Sequence, residues 1–462
     1  MGRTGHYLNK VVQATRTGGP AYAVYKVKRY MKRNLWRKKR FSMDDFVFEE
    51  LPEPLSEQKD DNSSYDVSVV VPTYNAGTQF ETMLELLEQQ ECCGTVEIVI
   101  VDSGSTDGTV QLCQQHEVTL VQIPNEQFSH SYARNLGAET AKGDILVFMT
   151  QDALPSSKEW LCSMIQPVQQ KEADAVSCGE ECPEGTDLYY RIANYGHASY
   201  VGFLQEDITG SREKCRDEES LRRYAALSDV ACAIRRSLFL KFRHRFDFAE
   251  DQDLGIRLLA GGYRTRLLSG VKVLHGHNRS ADYYLKRGLV DREAYDTIYQ
   301  HKEEKEDGSI TASTIYYSAC TVAEFLSLVE EELRQETSVA AFIKKASGLF
   351  DVVIGKNWET AGFEKEVEKN APLLEEIIRT CVESHKMVNY PSSRELAYSV
   401  RYYLDNVAEY FEYHGTESMK GLAGELCQCM WKQFALCVGA ELVKLKQEEH
   451  WNCKIQELTK GV

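Results

Sequence analysis

The chain has 462 residues, of which 43% are hydrophobic and 27% charged, a composition typical of a folded protein with two or three domains. Its formal net charge of −16 argues against nucleic acid as a partner, and it contains no run of about 20 apolar residues that could form a membrane helix. The N-terminus lacks the apolar core of a signal peptide, and the 14 cysteines follow no disulfide framework, so we expect a cytoplasmic protein.

Residues 1–65 differ in composition from the rest and are predicted to form a basic arm followed by an acidic linker. From Lys26 to Arg40 there are nine basic residues and no acidic residue. Apolar residues recur there at helical spacing, so residues 24–40 could form an amphipathic helix that lies on an anionic membrane surface. A solvated tail, or a helix docked on the acidic body of the protein, explains the same pattern equally well.

From residue 66 onwards, strands and helices alternate, which predicts a parallel sheet with right-handed crossovers. We expect strands over residues 67–71, 98–102, 119–123 and 145–149, with amphipathic helices between them. No glycine-rich phosphate-binding loop follows the first strand, so the sequence does not indicate a dinucleotide-binding or P-loop enzyme.

The fourth predicted strand ends abruptly in the polar residues Thr150, Gln151 and Asp152, and Pro155 prevents it from continuing. In an open α/β sheet, ligands bind beyond the carboxyl ends of the strands. One carboxylate beside two neutral oxygen-bearing side chains suits a divalent cation that also binds substrate phosphates. A strand followed by an ordinary polar turn is the alternative interpretation.

Two later segments carry further polar residues. Glu250 and Asp251 begin a predicted helix that ends at Gly261, and a strand over residues 265–274 leads to His275 and His277. After residue 305 the apolar spacing predicts packed helices only. The predicted domains are therefore the arm and linker (1–65), an α/β domain (66–304) and an all-helical domain (305–462).

Several segments resemble motifs of the family 2 glycosyltransferases in order and spacing. They are Pro72-Thr73-Tyr74-Asn75 and residues 101–109, 133–137, 143–144 and 250–251. Residues 128–130, 150–155, 249–253 and 275–278 are similar to the bacterial rhamnosyltransferase branch of that family. The resemblance covers about residues 66–290. It implies the GT-A fold, a Rossmann-like mixed sheet flanked by helices, and the transfer of a sugar from a nucleotide-sugar donor with inversion of its anomeric centre.

The resemblance also implies a set of donor-binding residues. They are Thr73, Tyr74, Asn75, Asp102, Ser103, Arg134 and Gln151. Many family members carry, at the position of Ser103, an acid that binds uracil. Its absence favours dTDP-L-rhamnose over a UDP-sugar. The alternatives are that Asp102 and Ser103 only form a turn, and that Arg134 is a surface arginine instead of a diphosphate ligand.

For the metal, the resemblance implies Mg²⁺ or Mn²⁺. Asp152 matches the last acid of the family's Asp-x-Asp motif, whose first acid is replaced here by Thr150. A further ligand is therefore expected from His275 or His277. The alternative is that these are loop histidines bonded to the backbone.

For catalysis, the resemblance implies that Asp251 is the base that takes the proton of the acceptor hydroxyl, with Glu250 as its neighbour. Acids in the first turn of a helix are also favoured by the helix dipole, so capping is the alternative. Asp253 is expected to pair with Arg257 at spacing i, i+4.

Together these features predict a rhamnosyltransferase at the inner face of the cell membrane, acting on a saccharide or lipid-linked acceptor in surface polysaccharide synthesis. One alternative is a family 2 enzyme that uses a UDP-sugar. Another, of a different class, is a catalytically silent scaffold that docks on membranes through its arm and binds partners through its helical tail.

Overall fold

The computed structural model describes residue 27 and residues 41–46, 65–91, 93–301, 307–336, 338–355, 364–390, 392–415 and 421–459. It contains two compact units. The first, here called the sheet unit, consists of Phe41–Thr186 and Asn194–His277, and the second, the helical unit, contains Asp187–Ala193 and Asn278–Val462. Apart from residue 27, the predicted basic helix over residues 24–40 lies outside the described residues.

The sheet unit is built on a nine-stranded mixed sheet. Its strands are β1 (Val67–Thr73), β2 (Val96–Asp102), β3 (Thr119–Gln122), β4 (Ile145–Met149), β5 (Leu154–Pro155), β6 (Ala175–Glu181), β7 (Ile208–Gly210), β8 (Ala231–Arg235) and β9 (Thr265–Leu274). Their order in the sheet is β3-β2-β1-β4-β8-β6-β9-β5, and β7 pairs with β9.

Helices lie between these strands along the chain. They are α1 (Gln79–Glu88), α2 (Thr109–Cys113), α3 (His130–Thr140), α4 (Trp160–Gln169), α5 (Leu188–Val201), α6 (Glu218–Tyr224), α7 (Arg236–Phe242) and α8 (Glu250–Ala260). Val69 and Val71 of β1 belong to one buried core, whereas Val70 joins Phe148 and Leu258 in another. Because both faces of the sheet are covered, its central strands are continuous apolar runs. The predicted GT-A arrangement of a mixed sheet with flanking helices is confirmed.

The direction of the strands decides where polar residues collect. β1, β2, β3, β4, β6 and β9 run the same way, so their carboxyl ends lie at one edge of the sheet, here called the carboxyl edge. β8 is antiparallel to β4, with Ala231 opposite Met149, so the residues that precede β8 lie at this edge too. The carboxyl edge therefore gathers residues that are far apart in the chain.

The helical unit contains eight helices among the described residues. They are α9 (Ala281–Ile298), α10 (Gly308–Leu333), α11 (Val339–Ile354), α12 (Glu364–Asn370), α13 (Pro372–Ser384), α14 (Tyr398–His414), α15 (Leu422–Leu442) and α16 (Glu449–Leu458). Within the described part of the chain, no helix combines the length and apolarity needed to cross a membrane.

The helical unit takes in α9, whereas the sequence predicts that the helical domain begins at residue 305. The reason is a close backbone contact between α9 and α15. A Cβ atom on Gly288 would lie 2.0 Å from the carbonyl oxygen of Leu436, and one on Gly439 would lie 1.9 Å from that of Leu285. Only glycine at these two positions allows the helices to approach so closely.

Candidate active site

The loops after β1 and β2 are joined through Asp102. This carboxylate is fully buried; its Oδ1 accepts hydrogen bonds from the backbone N–H groups of Gly104 (3.1 Å) and Ser105 (3.0 Å), and its Oδ2 accepts one from Thr73 Oγ1 (3.2 Å). Ser103 is equally buried and donates from Oγ to the carbonyl oxygen of Thr73 at 3.0 Å. These side chains shape the loop at the carboxyl edge, and their predicted contact with a nucleoside stays a prediction.

Tyr74 and Asn75 form the outer part of that loop. Asn75 adopts φ 46°, a left-handed conformation that asparagine tolerates, and its Oδ1 accepts from the backbone N–H of Thr106 at 2.8 Å. Gln151 Oε1 accepts from the backbone N–H of Tyr74 at 2.8 Å, and Gln151 Nε2 donates to the Tyr74 carbonyl at 3.1 Å. Gln151 thus holds the loop after β4 against the loop after β1, while the Tyr74 side chain stays exposed.

The structure brings Asp152, His275 and His277 together at the carboxyl edge. Asp152 Oδ1 lies 3.5 Å from His275 Nε2, Asp152 Oδ2 lies 3.8 Å from His277 Nδ1, and one ligand atom from each residue lies within 4.8 Å of the others. The pairing of β5 with β9, which places Leu154 opposite Leu274, makes these two loops neighbours.

Glu180, which the sequence analysis did not identify, completes this cluster. Its Oε2 lies 2.7 Å from His275 Nδ1. Burial opposes the positive charge of His275, but hydrogen bonds to Asp152 and Glu180 outweigh it and raise the His275 pKa to about 9. Burial likewise opposes the charge of Asp152, but the hydrogen bond from His275 and the charges of His275 and His277 lower the Asp152 pKa to about 2.

These residues fit a divalent cation. A carboxylate oxygen suits Mn²⁺ and Mg²⁺, and imidazoles suit divalent transition-metal ions. When a carboxylate accepts the Nδ1–H of a histidine, the Nε2 lone pair is directed at the metal, and the Glu180–His275 contact has this arrangement. Among the residues that the structure describes, this is the cluster of acidic, histidine or cysteine side chains close enough to share one ion.

The second half of the site is the start of α8. Asp251 is partly exposed, and its Oδ1 and Oδ2 accept from the backbone N–H groups of Gln252 (2.7 Å) and Asp229 (3.3 Å). Glu250 is 8% exposed and accepts from Arg134 Nη1 at 2.8 Å. Asp251 is therefore the more accessible of the two acids, and it is held by backbone groups alone among the hydrogen bonds described.

Asp253 has a structural role. Its Oδ2 accepts from Arg257 Nε at 2.7 Å, and its Oδ1 accepts from Arg245 Nη2 at 2.6 Å. The predicted i, i+4 pair of Asp253 with Arg257 is confirmed.

Arg134 occupies an environment that the sequence analysis did not predict. It is 3% exposed; besides bonding Glu250, its Nε lies 3.3 Å from Asp229 Oδ2. We expected either a diphosphate ligand or a surface side chain, and both need an accessible guanidinium. The guanidinium points inward because α3 is fastened to the loop before α8: Asn135 Nδ2 donates to the carbonyl of His244, and the His244 N–H donates to Asn135 Oδ1, both at 3.0 Å.

Asp229 and His244 are the other site residues that the sequence analysis missed. His244 Nε2 lies 2.9 Å from Asp229 Oδ2, and both side chains are buried. Asp229 directly precedes the apolar run of β8, and a polar residue at the end of a strand can indicate a site. Here that indication depends on β8 being antiparallel, because only then do the residues before β8 lie at the carboxyl edge. His244 gives no such signal, because it lies in a loop among arginines.

The charges around Asp251 place its titration near neutral pH. Burial and the adjacent carboxylates of Glu250 and Asp229 raise the pKa of Asp251 from 3.8 to about 7. Burial also raises the pKa of Glu250, although Arg134 opposes this, whereas His244 and Arg134 overcome burial and lower the pKa of Asp229. A carboxylate that titrates near pH 7 at a sheet edge is suited to general-base chemistry.

Comparison with known proteins shows which protein family and which relatives this sequence is similar to. The model of the family described as glycosyl transferase family 2 matches residues 68–236. The O-antigen chain rhamnosyltransferase RfbN of Salmonella typhimurium is 27% identical over 220 residues, which cover 46% of this chain and 67% of that protein. The O-antigen chain rhamnosyltransferase WbaN of Salmonella anatum is 28% identical over 219 residues, which cover 46% of this chain and 66% of that protein. The match thus spans about two thirds of each relative.

Among solved structures, the mannosyltransferase PcManGT of Pyrobaculum calidifontis, in complex with GDP-Man and Mn²⁺, covers 95% of this chain and 100% of its own length. Its sequence is 15% identical, and the TM-score is 0.43.

Proposed function

Because this chain belongs to glycosyl transferase family 2, in its rhamnosyltransferase-like branch, we propose that it transfers L-rhamnose from dTDP-L-rhamnose to a saccharide acceptor, with inversion, in cell-surface polysaccharide synthesis. The observation that carries the proposal is the carboxyl edge itself. There the loops after β4 and β9 hold a candidate cation cluster (Asp152, His275, His277). Asp251, a carboxylate that titrates near pH 7, lies in the first turn of α8 and accepts a hydrogen bond from the backbone N–H of Asp229, in the turn before β8.

In this proposal Asp251 is the catalytic base. Its ionised carboxylate takes the proton of an acceptor hydroxyl while that oxygen attacks the anomeric carbon of the donor. The new C–O bond forms as the bond between the anomeric carbon and the diphosphate oxygen breaks. The electron pair of the broken bond leaves with the nucleoside diphosphate. Glu250 is less suited to this role because its carboxylate is buried and bonded to Arg134.

Asp152, His275 and His277 would hold a divalent cation, Mg²⁺ or Mn²⁺, and Glu180 would orient His275. When bound, such an ion supplies positive charge to the departing diphosphate. Gln151 fixes the loop that presents Tyr74, so this exposed ring is available to a nucleobase without further ordering of the backbone.

The donor prediction concerns the nucleobase and the sugar of the donor substrate. dTDP-L-rhamnose should be turned over faster than UDP-sugars, because the relatives RfbN and WbaN are named as rhamnosyltransferases. Ser103, whose Oγ donates to Thr73, offers no carboxylate to the imide that uracil and thymine share, so the thymine methyl group and the sugar must account for the preference. The measurement is release of nucleoside diphosphate from a donor panel with Mg²⁺ or Mn²⁺. Thermal shifts with dTDP, dUDP and UDP separate the contribution of the thymine methyl group from that of the ribose 2′-hydroxyl. Equal or faster turnover of a UDP-sugar would reject the donor assignment.

The membrane prediction concerns the basic arm. Deleting residues 1–42 should abolish binding to anionic liposomes but leave transfer to a short soluble acceptor nearly unchanged. This deletion spares Met43 and Phe46, which are buried in the sheet unit. Each basic residue near such a surface contributes about 1 kcal/mol, so binding should weaken as salt is added. A matched control keeps the arm but replaces the nine basic residues between Lys26 and Arg40 by glutamine. Salt-insensitive binding, or no binding by the full chain, contradicts the prediction.

A further inference from the structure

Asp251 is packed against a buried group of charges, here called the Arg134 cluster, which consists of Arg134, Asp229, His244 and Glu250. Arg134 bridges two carboxylates, with Nη1 2.8 Å from Glu250 Oε1 and Nε 3.3 Å from Asp229 Oδ2. His244 contacts the same oxygen of Asp229, with Nε2 2.9 Å from Oδ2. The four residues come from four segments: α3, the turn before β8, the loop before α8, and the first turn of α8.

The cluster meets Asp251 in two ways. The backbone N–H of Asp229 donates to Asp251 Oδ2 at 3.3 Å, so the turn that carries Asp229 also orients the Asp251 carboxylate. The carboxylates of Glu250 and Asp229 also place negative charge beside Asp251, and Arg134 partly compensates it. Because these groups are buried, solvent and salt screen their interactions weakly.

The other titratable groups near Asp251 and the cluster are few among the described residues. The thiol of Cys232 on β8 interacts with the charges of Asp229, Asp251 and Arg134, and His130 at the start of α3 interacts with Asp229. Asp253 is directed to Arg245 and Arg257 instead. The charge balance at Asp251 is therefore dominated by three residues: Glu250, Asp229 and Arg134.

We propose that Asp229 and Arg134 are positioning residues for Asp251, and that they set the pH at which its carboxylate becomes ionised. Asp229 orients the carboxylate through its backbone and opposes its ionisation through its side chain, whereas Arg134 favours ionisation and keeps Glu250 away from the acceptor. The inference rests on the proposed role of Asp251 as base, and it adds two residues that do not touch the reacting atoms.

The test uses two substitutions with opposite expected effects. Asp229→Asn keeps the side-chain shape and the backbone N–H but removes one negative charge, so the acidic limb of the kcat/KM profile should move to lower pH by about one unit or more. Arg134→Gln removes the compensating positive charge, so the same limb should move to higher pH. Arg134→Lys keeps the charge but cannot bridge both carboxylates, and should move the limb less than Arg134→Gln.

A second readout does not depend on transfer. The folded-state pKa of Asp251 lies above its unfolded value, so its ionisation weakens folding as pH rises from about 4 to about 7, and the effect then levels off. Asp251→Asn should therefore raise Tm relative to its parent increasingly over this interval. In the Asp229→Asn background the gain in Tm should be smaller and should level off at lower pH.

Asp253→Asn is the matched control, because it also removes a buried carboxylate from α8 but one that pairs with Arg245 and Arg257. It should lower Tm without moving the pH profile. The inference is overturned if Asp229→Asn changes neither the pH of the acidic limb of the kcat/KM profile nor the pH dependence of the Tm gain caused by Asp251→Asn. This outcome is decisive even if Arg134→Gln does not fold. If the Tm difference shifts as expected but the wild type transfers sugar from no donor, the positioning inference stands and the proposed function fails.

Discussion

Asp251→Asn is expected to lower kcat by about 10²–10⁴-fold, the range that a positioned general base contributes. The amide keeps the shape of the side chain, and its single oxygen can still accept one of the two backbone hydrogen bonds, from Gln252 or from Asp229. It cannot take a proton from the acceptor hydroxyl at neutral pH. Donor affinity, measured by titration with dTDP-L-rhamnose, should change little, because Asp251 acts on the acceptor.

Glu250→Gln is the matched control for this substitution. It should lower Tm, because Arg134 loses the buried carboxylate that it contacts at 2.8 Å, but it should retain more activity than Asp251→Asn. If Glu250→Gln is inactive while Asp251→Asn keeps most of its activity, the two roles must be exchanged. If both variants remain active, the mechanism does not use a carboxylate base at this position.

The pH dependence of the wild type adds a directional test to the same substitution. Because the pKa of Asp251 is raised to about 7, kcat/KM should fall as pH decreases below about 7, where the base becomes protonated. An unperturbed aspartate would retain its activity to about pH 4. A flat profile between pH 5 and pH 8 would contradict the role of Asp251 as base.

Asp152→Ala is expected to abolish metal-dependent donor binding. It removes the one carboxylate among the three candidate ligands Asp152, His275 and His277, and leaves two imidazoles 24% exposed or less. Binding of Mn²⁺, followed by water proton relaxation, should weaken by more than the roughly 10–100-fold that the loss of an outer-shell partner costs. The thermal shift produced by dTDP should no longer depend on Mn²⁺.

The cluster offers a graded set of controls for the metal prediction. Asp144→Ala, at the opposite end of β4, removes an exposed carboxylate and should leave Mn²⁺ binding unchanged. Alanine at His275 and at His277, tested separately, identifies which imidazole is a ligand. Glu180→Gln should weaken Mn²⁺ binding by about 10–100-fold, because it loosens the orientation of His275. Donor affinity that neither Asp152→Ala nor a chelator changes would reject the metal role.

Local sequence patterns predicted the central strands of the sheet unit, but not the short strands β5 and β7 or the helices α5 and α6. The β-branched run that begins at Val67 and the apolar run that ends at Met149 predict buried strands, because both faces of a covered sheet exclude polar residues. The polar residues after such runs fall at one edge when the strands are parallel. This is why Asp152, His275 and His277 could be predicted as one site from residues more than a hundred positions apart. The pair of Asp253 with Arg257 is local in the same sense, since residues four apart lie on one face of a helix.

What the sequence could not supply is the set of partners for buried charges. From the sequence, Arg134 is predicted to be a ligand or a surface residue. Nothing near it in the chain shows that its guanidinium will donate to Glu250, 116 positions away. The inclusion of α9 in the helical unit depends in the same way on a long-range contact, that of Gly288 with Leu436.

Periodicity and chain direction are local properties, so they were enough to predict the main strands, their polar ends and the candidate cation and base residues. The three-dimensional fold was needed to show that burial and the carboxylates of Glu250 and Asp229 raise the pKa of Asp251 while Arg134 opposes the shift. Electrostatic energy in a protein interior depends on distances in space between groups that the chain order does not relate.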